Sequence, residues 1–181
     1  DKKLVGIEGA FSGCDNLLAV NLGANYLLTD GILYDKDMEF IVAVLKSRTD
    51  SSLVLSDSVK GILGYALQGS NVANLTLSAN TEFFDADSLI GSNVTTLNVP
   101  SQNSYFTDFN SQGLIVTKDL SQAIFLSDGF SGILTLPSQL LSVNFAVLNK
   151  GTVTKFAFDN ESAKFEISSG IILNKEKTRI L

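Results

Sequence analysis

Catalysis needs side chains that exchange protons, attack a substrate or hold a metal, and this chain has few that can. It carries a single cysteine, Cys14, and no histidine. A nucleophilic cysteine needs a neighbouring base to keep it ionised, and a Ser-His-Asp arrangement cannot be assembled without an imidazole. Zinc centres built on histidine or clustered cysteine fall with the same count. Carboxylates remain. Asp85 with Asp87, or Asp35 with Asp37, could ligate calcium, but neither pair has the Asp-x-Asx-x-Asx-Gly spacing. Glu82, Asp108, Asp119 and Asp128 could supply the facing acids of a hydrolase, yet nothing in their spacing converges them. Gly6, Gly9 and Gly13 lack the Lys-Ser/Thr ending of a phosphate-cradling loop. The expectation is a non-enzymatic protein with no metal and no cofactor.

Composition narrows the partners. With 45% hydrophobic and 18% charged residues, the 181-residue chain can bury a globular core. Its longest apolar run is the six residues from Phe40 to Leu45, far short of the ~20 that cross a bilayer, so no membrane insertion is expected. The net charge of -6 and the scattered lysines exclude a phosphate-backbone ligand. No charged-then-apolar leader opens the chain, which implies a signal peptide absent or already removed. One cysteine leaves the redox compartment open.

The elements that would position any site emerge when the chain is slid against itself. At a shift of 22 residues Leu53, Leu75 and Leu97 coincide, as do Leu55, Leu77 and Val99. Gly69-Ser70-Asn71-Val72 falls on Gly91-Ser92-Asn93-Val94. The template recurs with one extra residue as Ala10, Phe11, Leu17, Val20, Leu22 and as Ala146, Val147, Val153, Phe156, Phe158. A 22–23-residue period lies in the leucine-rich-repeat window. Ser70 and Ser92 are the repeat equivalents of Cys14, so that position wants a small residue suited to packing.

A second unit is interleaved. Gly31-Ile32-Leu33-Tyr34 is echoed by Gly113-Leu114-Ile115-Val116 and by Gly170-Ile171-Ile172-Leu173, each followed by a polar turn and a second apolar segment. Apolar runs bounded by turn residues read as β-hairpins. The expected hairpin inserts span 26–44, 105–126 and 165–181 of one leucine-rich-repeat domain, 1–181.

The string from Ile7 to Leu17, Ile-Glu-Gly-Ala-Phe-Ser-Gly-Cys-Asp-Asn-Leu, resembles the signature of the BspA-like family of surface leucine-rich repeats. The segment from Asp30 to Asp37 is similar to that family's inserts. Departures occur: Ala66-Leu67 and Ser88-Leu89 stand where the family has Ala-Phe, and Gly-Ser replaces Gly-Cys. The resemblance implies an exported, cell-surface or secreted protein that engages host, matrix or cell-surface proteins as an adhesin does.

The fold class that follows is mainly β with short helical or 3-10 turns, a leucine-rich-repeat solenoid with interspersed β-hairpins. Strands are expected around Leu22, Leu55, Leu77, Val99 and Phe158, with another at Leu134 to Leu136. Val59, Ile62 and Ala66 at i, i+3 and i+7 predict one or two helical turns on the convex side, repeated by Thr81, Phe84 and Ser88. In each Leu-x-Leu strand the middle residue and its flanks point outward. The candidate ligand-binding strip is therefore Ser52, Val54, Asn74, Thr76, Thr96 and Asn98, extended by Thr135 and Lys155. Small hydroxyl and amide groups there could receive an extracellular protein or a glycan, since solenoids bind on extended faces; a solvated face with no ligand is the bland alternative, which would make the chain a spacer. Tyr34, Tyr105, Phe106 and Phe109 form a second candidate patch, or else hairpin core. Three sequons, at Asn74, Asn93 and Asn160, would matter only in a eukaryotic secretory route. The first repeat lacks a strand before Ile7 and the last segment stops at Ile180-Leu181, so a fragment of a longer solenoid is expected, with uncapped ends able to self-associate.

Overall fold

A computed structural model describes residues 23–84, 86–148 and 150–176. The fold is mainly β with almost no helix, a repeat solenoid with about 22 residues to the turn. Its contacts divide it into two compact units, with the boundary between Val94 and Thr95.

In the first unit β1 (Tyr26–Thr29), β2 (Ile32–Asp35) and β3 (Phe40–Val44) form an antiparallel meander. Asp30 and Gly31, both at positive φ, make the two-residue turn that joins Thr29 to Ile32. Such a turn matches the strand twist and requires residues that tolerate the left-handed region. All four residues of β2 are buried, which explains its unbroken apolar run: the strand is covered on both faces. The buried Asp35 carboxylate at its end accepts the N–H groups of Glu39 and Phe40 at 2.7 and 2.9 Å and so turns the chain into β3.

The third meander strand also belongs to the solenoid. β3 pairs in parallel with β5 (Gly61–Ile62), and Gly61 bridges in parallel to Phe83. A second parallel ladder joins β4 (Ser52–Val54) to β6 (Asn74–Thr76), with Leu53 opposite Leu75. Both leucines are buried and their strand neighbours face out, so the 22-residue period is a stacking period. Asparagines staple successive turns. Asn71 Nδ2 donates to the carbonyls of Lys46 and Arg48 at 2.9 and 3.0 Å, and Asn93 Nδ2, at the same repeat position, donates to Ser70 O at 2.6 Å. The conserved spacing of these two residues within the chain thus reflects a backbone contact between turns.

The second unit holds β7 (Thr96–Asn98) and a second meander, β8 (Phe106–Phe109), β9 (Leu114–Thr117) and β10 (Ala123–Leu126). A parallel pair follows, β11 (Ser131–Leu136) with β12 (Thr152–Phe158), and then the hairpin β13 (Phe165–Ser168) with β14 (Ile171–Asn174). The short helix α1 (Phe145–Leu148) lies between β11 and β12. Ser169 and Gly170 repeat the positive-φ turn of Asp30 and Gly31. Asn103 and Ser162, both buried, accept the N–H groups that open β8 and β13, so each hairpin starts from the same kind of side-chain turn.

Two expectations need correcting. The helical turns from Val59 to Ala66 are absent. Gly61–Ile62 is a strand there, and Tyr65 at φ 61 breaks any helix. The inward spacing of Val59, Ile62 and Ala66 arises instead from an extended segment followed by tight turns. A 3-10 turn does occur one repeat later, at Ala86–Leu89. The repeat strands are also centred two residues earlier than Leu55, Leu77 and Val99, on Leu53, Leu75 and Leu97. Leu55 and Leu77 remain buried just past the strand ends. The strand expected at Leu22 and the segment from Ile7 to Leu17 lie outside the described residues.

Candidate functional site

The outward strip is partly assembled. Parallel pairing puts Ser52 beside Asn74 and Val54 beside Thr76 in the first unit. Ser52, Val54 and Asn74 are exposed, Val54 at 72%, and Thr76 is half-buried. The result is a small neutral surface of one hydroxyl, one amide, one methyl-bearing hydroxyl and an isopropyl group, with neighbours one strand spacing apart, roughly 4.8 Å. Thr96 and Asn98 hold the corresponding positions of β7 in the second unit, half-buried and exposed respectively.

Thr135 and Lys155 do not meet as strand neighbours. Thr135 pairs with Ala157, and Lys155 pairs with Ile133 because the register shifts between Gly132 and Ile133. Ile133 is 59% exposed, an outward apolar residue the sequence reading missed. The alternation of Ile133-Leu134-Thr135-Leu136 was the signal that could have found it, since Ile133 flanks the inward Leu134. The Gln112 amide clamps the backbone of Thr135 from the β8–β9 turn: Nε2 donates to Thr135 O at 2.5 Å and Thr135 N donates to Oε1 at 3.3 Å.

The aromatic candidates separate by burial. Tyr34, Phe106 and Phe109 are core residues of the meanders, and only Tyr105 is exposed. Burial pushes the Tyr34 phenol above its ordinary range, and the Asp30 carboxylate adds to the shift. These four do not form a surface patch.

Asp35, Asp37, Asp108, Asp119 and Asp128 are engaged by local structure, and Asp85 lies outside the described residues. Asp108 Oδ1 accepts Gly113 N at 2.9 Å and holds the β8–β9 turn, and burial raises its pKa. Asp119 accepts the Thr117 hydroxyl at 2.6 Å and the Ser121 N–H and hydroxyl, bonds that lower its pKa. Asp108 lies on β8 opposite Ile115, whereas Asp119 lies beyond the end of β9. Asp128 pairs with Lys150 at 3.5 Å, and Glu82 belongs to the first unit. Asp37 is paired with Lys36, and Asp35 is the turn residue described above. Among the described residues no group of three or more His, Cys, Asp or Glu is placed to hold a metal ion, and no helix is long and apolar enough to cross a membrane.

The repeat control on Cys14, itself outside the described residues, reads clearly. Ser70 is fully buried and its hydroxyl has no hydrogen-bond partner among the described residues; Ser92 is half-buried. All three sequon asparagines are exposed, and the Asn93 amide donates to Ser70 O. No family model, curated protein or solved structure matches this chain.

Proposed function

We propose that this chain is a non-enzymatic binding module of an exported or cell-surface protein, adhesin-like, whose ligand is an extracellular protein or a glycan. The observation that carries the reading is the face made by the exposed Ser52, Val54 and Asn74 and the half-buried Thr76 on the parallel ladder, four uncharged side chains. Its four side chains offer donors, acceptors and an apolar contact with no charge of their own, beside the Arg48–Asp50 ion pair that holds the Ser52 backbone, and such a face suits a broad low-charge partner. Export and the adhesin role rest on the resemblance to BspA-like repeats, an argument by analogy. A spacer without a ligand is the second reading; the Asn71 and Asn93 staples, which tie one turn to the next, favour it.

The test is binding of the purified chain to an array of matrix proteins and glycans, alongside a variant carrying Asn74→Lys, Thr76→Glu and Asn98→Lys. The binding reading expects saturable capture that weakens at least about tenfold in the variant, corresponding to roughly 1.4 kcal/mol, with an unchanged circular dichroism spectrum. Capture by neither protein would assign the chain the spacer role. Equal capture by both would place the ligand elsewhere on the surface.

A further inference from the structure

β11 pairs in parallel with β12 along one edge, and among the described residues no strand pairs with its other edge. Leu136 O accepts Asp159 N at 3.0 Å on the β12 side. Peptide groups of a strand alternate between its two edges, so Thr135 turns its N–H and C=O the opposite way. A side chain takes both there, the Gln112 amide of the β8–β9 turn.

Gln112 differs from the other amide staples. Asn71, Asn80 and Asn93 donate to carbonyls of a neighbouring turn. Gln112 both donates to and accepts from a single residue. Those are the two bonds that one residue of an antiparallel neighbour exchanges with its partner. A side-chain amide carries the same C=O and N–H as a peptide group, so Gln112 fills one place of a strand that is otherwise missing. Leaving the half-buried Thr135 backbone without partners is costly, and an open sheet edge is a template for other strands. We propose that this edge of β11 is a strand-accepting site for an extended segment of a partner protein, and that Gln112 is the side chain the segment displaces.

The occupant's chemistry is read from the group that now holds its place. The edge is satisfied by an amide, and the ligand that matches it is a peptide backbone. Ile133, two residues before Thr135 and 59% exposed, adds an apolar contact for a side chain of the incoming strand. Among the hydrogen bonds of the described residues, only the Gln112 side chain joins the β8–β9 turn to β11. Gln112 N and Gly113 N bond within the turn, to Phe109 O and Asp108 Oδ1, and Gly113 O accepts Ser127 N ahead of β11. Release of Gln112 therefore breaks two bonds and leaves the hairpin intact, and the incoming backbone restores both. Main-chain bonds give such binding its affinity, and alternate side chains give it specificity. The site lies in the second unit and does not use Ser52, Val54, Asn74 or Thr76, so it stands or falls apart from the proposed ligand face.

Fluorescence anisotropy of the full chain with a labelled peptide of alternating threonine and valine, flanked by lysines, tests it. Gln112→Met keeps the side chain's length without its hydrogen bonds, and Gln112→Ala removes it. The expected result is binding to both variants at least about tenfold tighter than to the parent, with unchanged circular dichroism. The Thr135 amide should exchange faster in the variants and slowly again once the peptide is bound. In the parent, the Gln112 side-chain amide resonances should move towards those of a solvated glutamine as peptide is added, a readout that needs no variant. Unaltered affinity in the variants, equal binding of a peptide methylated on every backbone nitrogen, or binding that leaves both Thr135 exchange and the Gln112 resonances unmoved would overturn the proposal.

Discussion

Replacing Gly61 with alanine is expected to cost about 3 kcal/mol of stability, out of proportion to one methyl group. An added Cβ would lie 2.6 Å from Phe83 Cβ, 2.8 Å from Phe83 O and 3.1 Å from Phe40 Cδ1. Two of these atoms cannot swing away, since one is backbone and the other is fixed to it. Relief requires the Phe83 backbone to retreat, which stretches the bond from Ile62 N to Phe83 O at 2.9 Å. It also disturbs the Phe40 and Phe83 rings, whose centroids are 5.7 Å apart across the glycine. Overpacking alone costs roughly 1–3 kcal/mol, and a weakened hydrogen bond adds about 1. Gly64→Ala is the matched control, because its Cβ would meet only Asp87 Cβ, at 3.9 Å. Urea denaturation should show a lowered midpoint for Gly61→Ala and little change for Gly64→Ala, with similar slopes. Equal effects at the two positions would deny the close stacking of β5 on the Phe83 turn.

Leu75→Ala is expected to destabilise by about 3 kcal/mol, and Val54→Ala by less than about 0.5. Leu75 is completely buried, in register with Leu53 on the adjacent strand, and truncation there removes methyl contacts and leaves a cavity. Val54 neighbours Leu53 in sequence but faces solvent. Strand side chains alternate faces, so a register slip of one residue would exchange the two outcomes. Thermal or urea melts of both variants read the difference directly, and a costlier Val54→Ala would mean that the strip is the core face.

The parts of this fold that were legible in the sequence are those set by alternation and repetition. Leu53 over Leu75 and the recurrence of Gly31, Gly113 and Gly170 ahead of apolar runs reported the ladders and the hairpins, because stacking demands like residues at like positions. The outward positions of Ser52, Val54 and Asn74 followed from the same alternation. Features set by contacts between turns stayed hidden. Ile62 carries helical spacing relative to Val59 and Ala66, and only the meeting of Gly61 with Phe83 and the left-handed Tyr65 make the segment extended. Lys155 was matched to the strip by counting, but the extra residue at Thr154 moves its neighbour to Ile133. Tyr34, Phe106 and Phe109 have a composition equally suited to a patch or a core. Their burial depends on how the meander strands are covered, and no local pattern encodes that.

The central claim is that successive repeats stack in parallel with Ser52 beside Asn74 on the outward face, and a disulfide between them tests it most directly. With Cys14→Ser as background, the serine its repeat equivalents carry, Ser52→Cys and Asn74→Cys would stand one strand spacing apart, roughly 4.8 Å. That separation lies within the Cα range of about 4.4–6.8 Å that a disulfide spans. Mild oxidation is predicted to give an internally linked monomer, seen by mass and by gel mobility without reductant. Leu53→Cys paired with Asn74→Cys, whose side chains leave opposite faces, is predicted to stay reduced. Failure of the first pair to link, or equal linking by the second, would contradict the parallel register on which the proposed binding face depends.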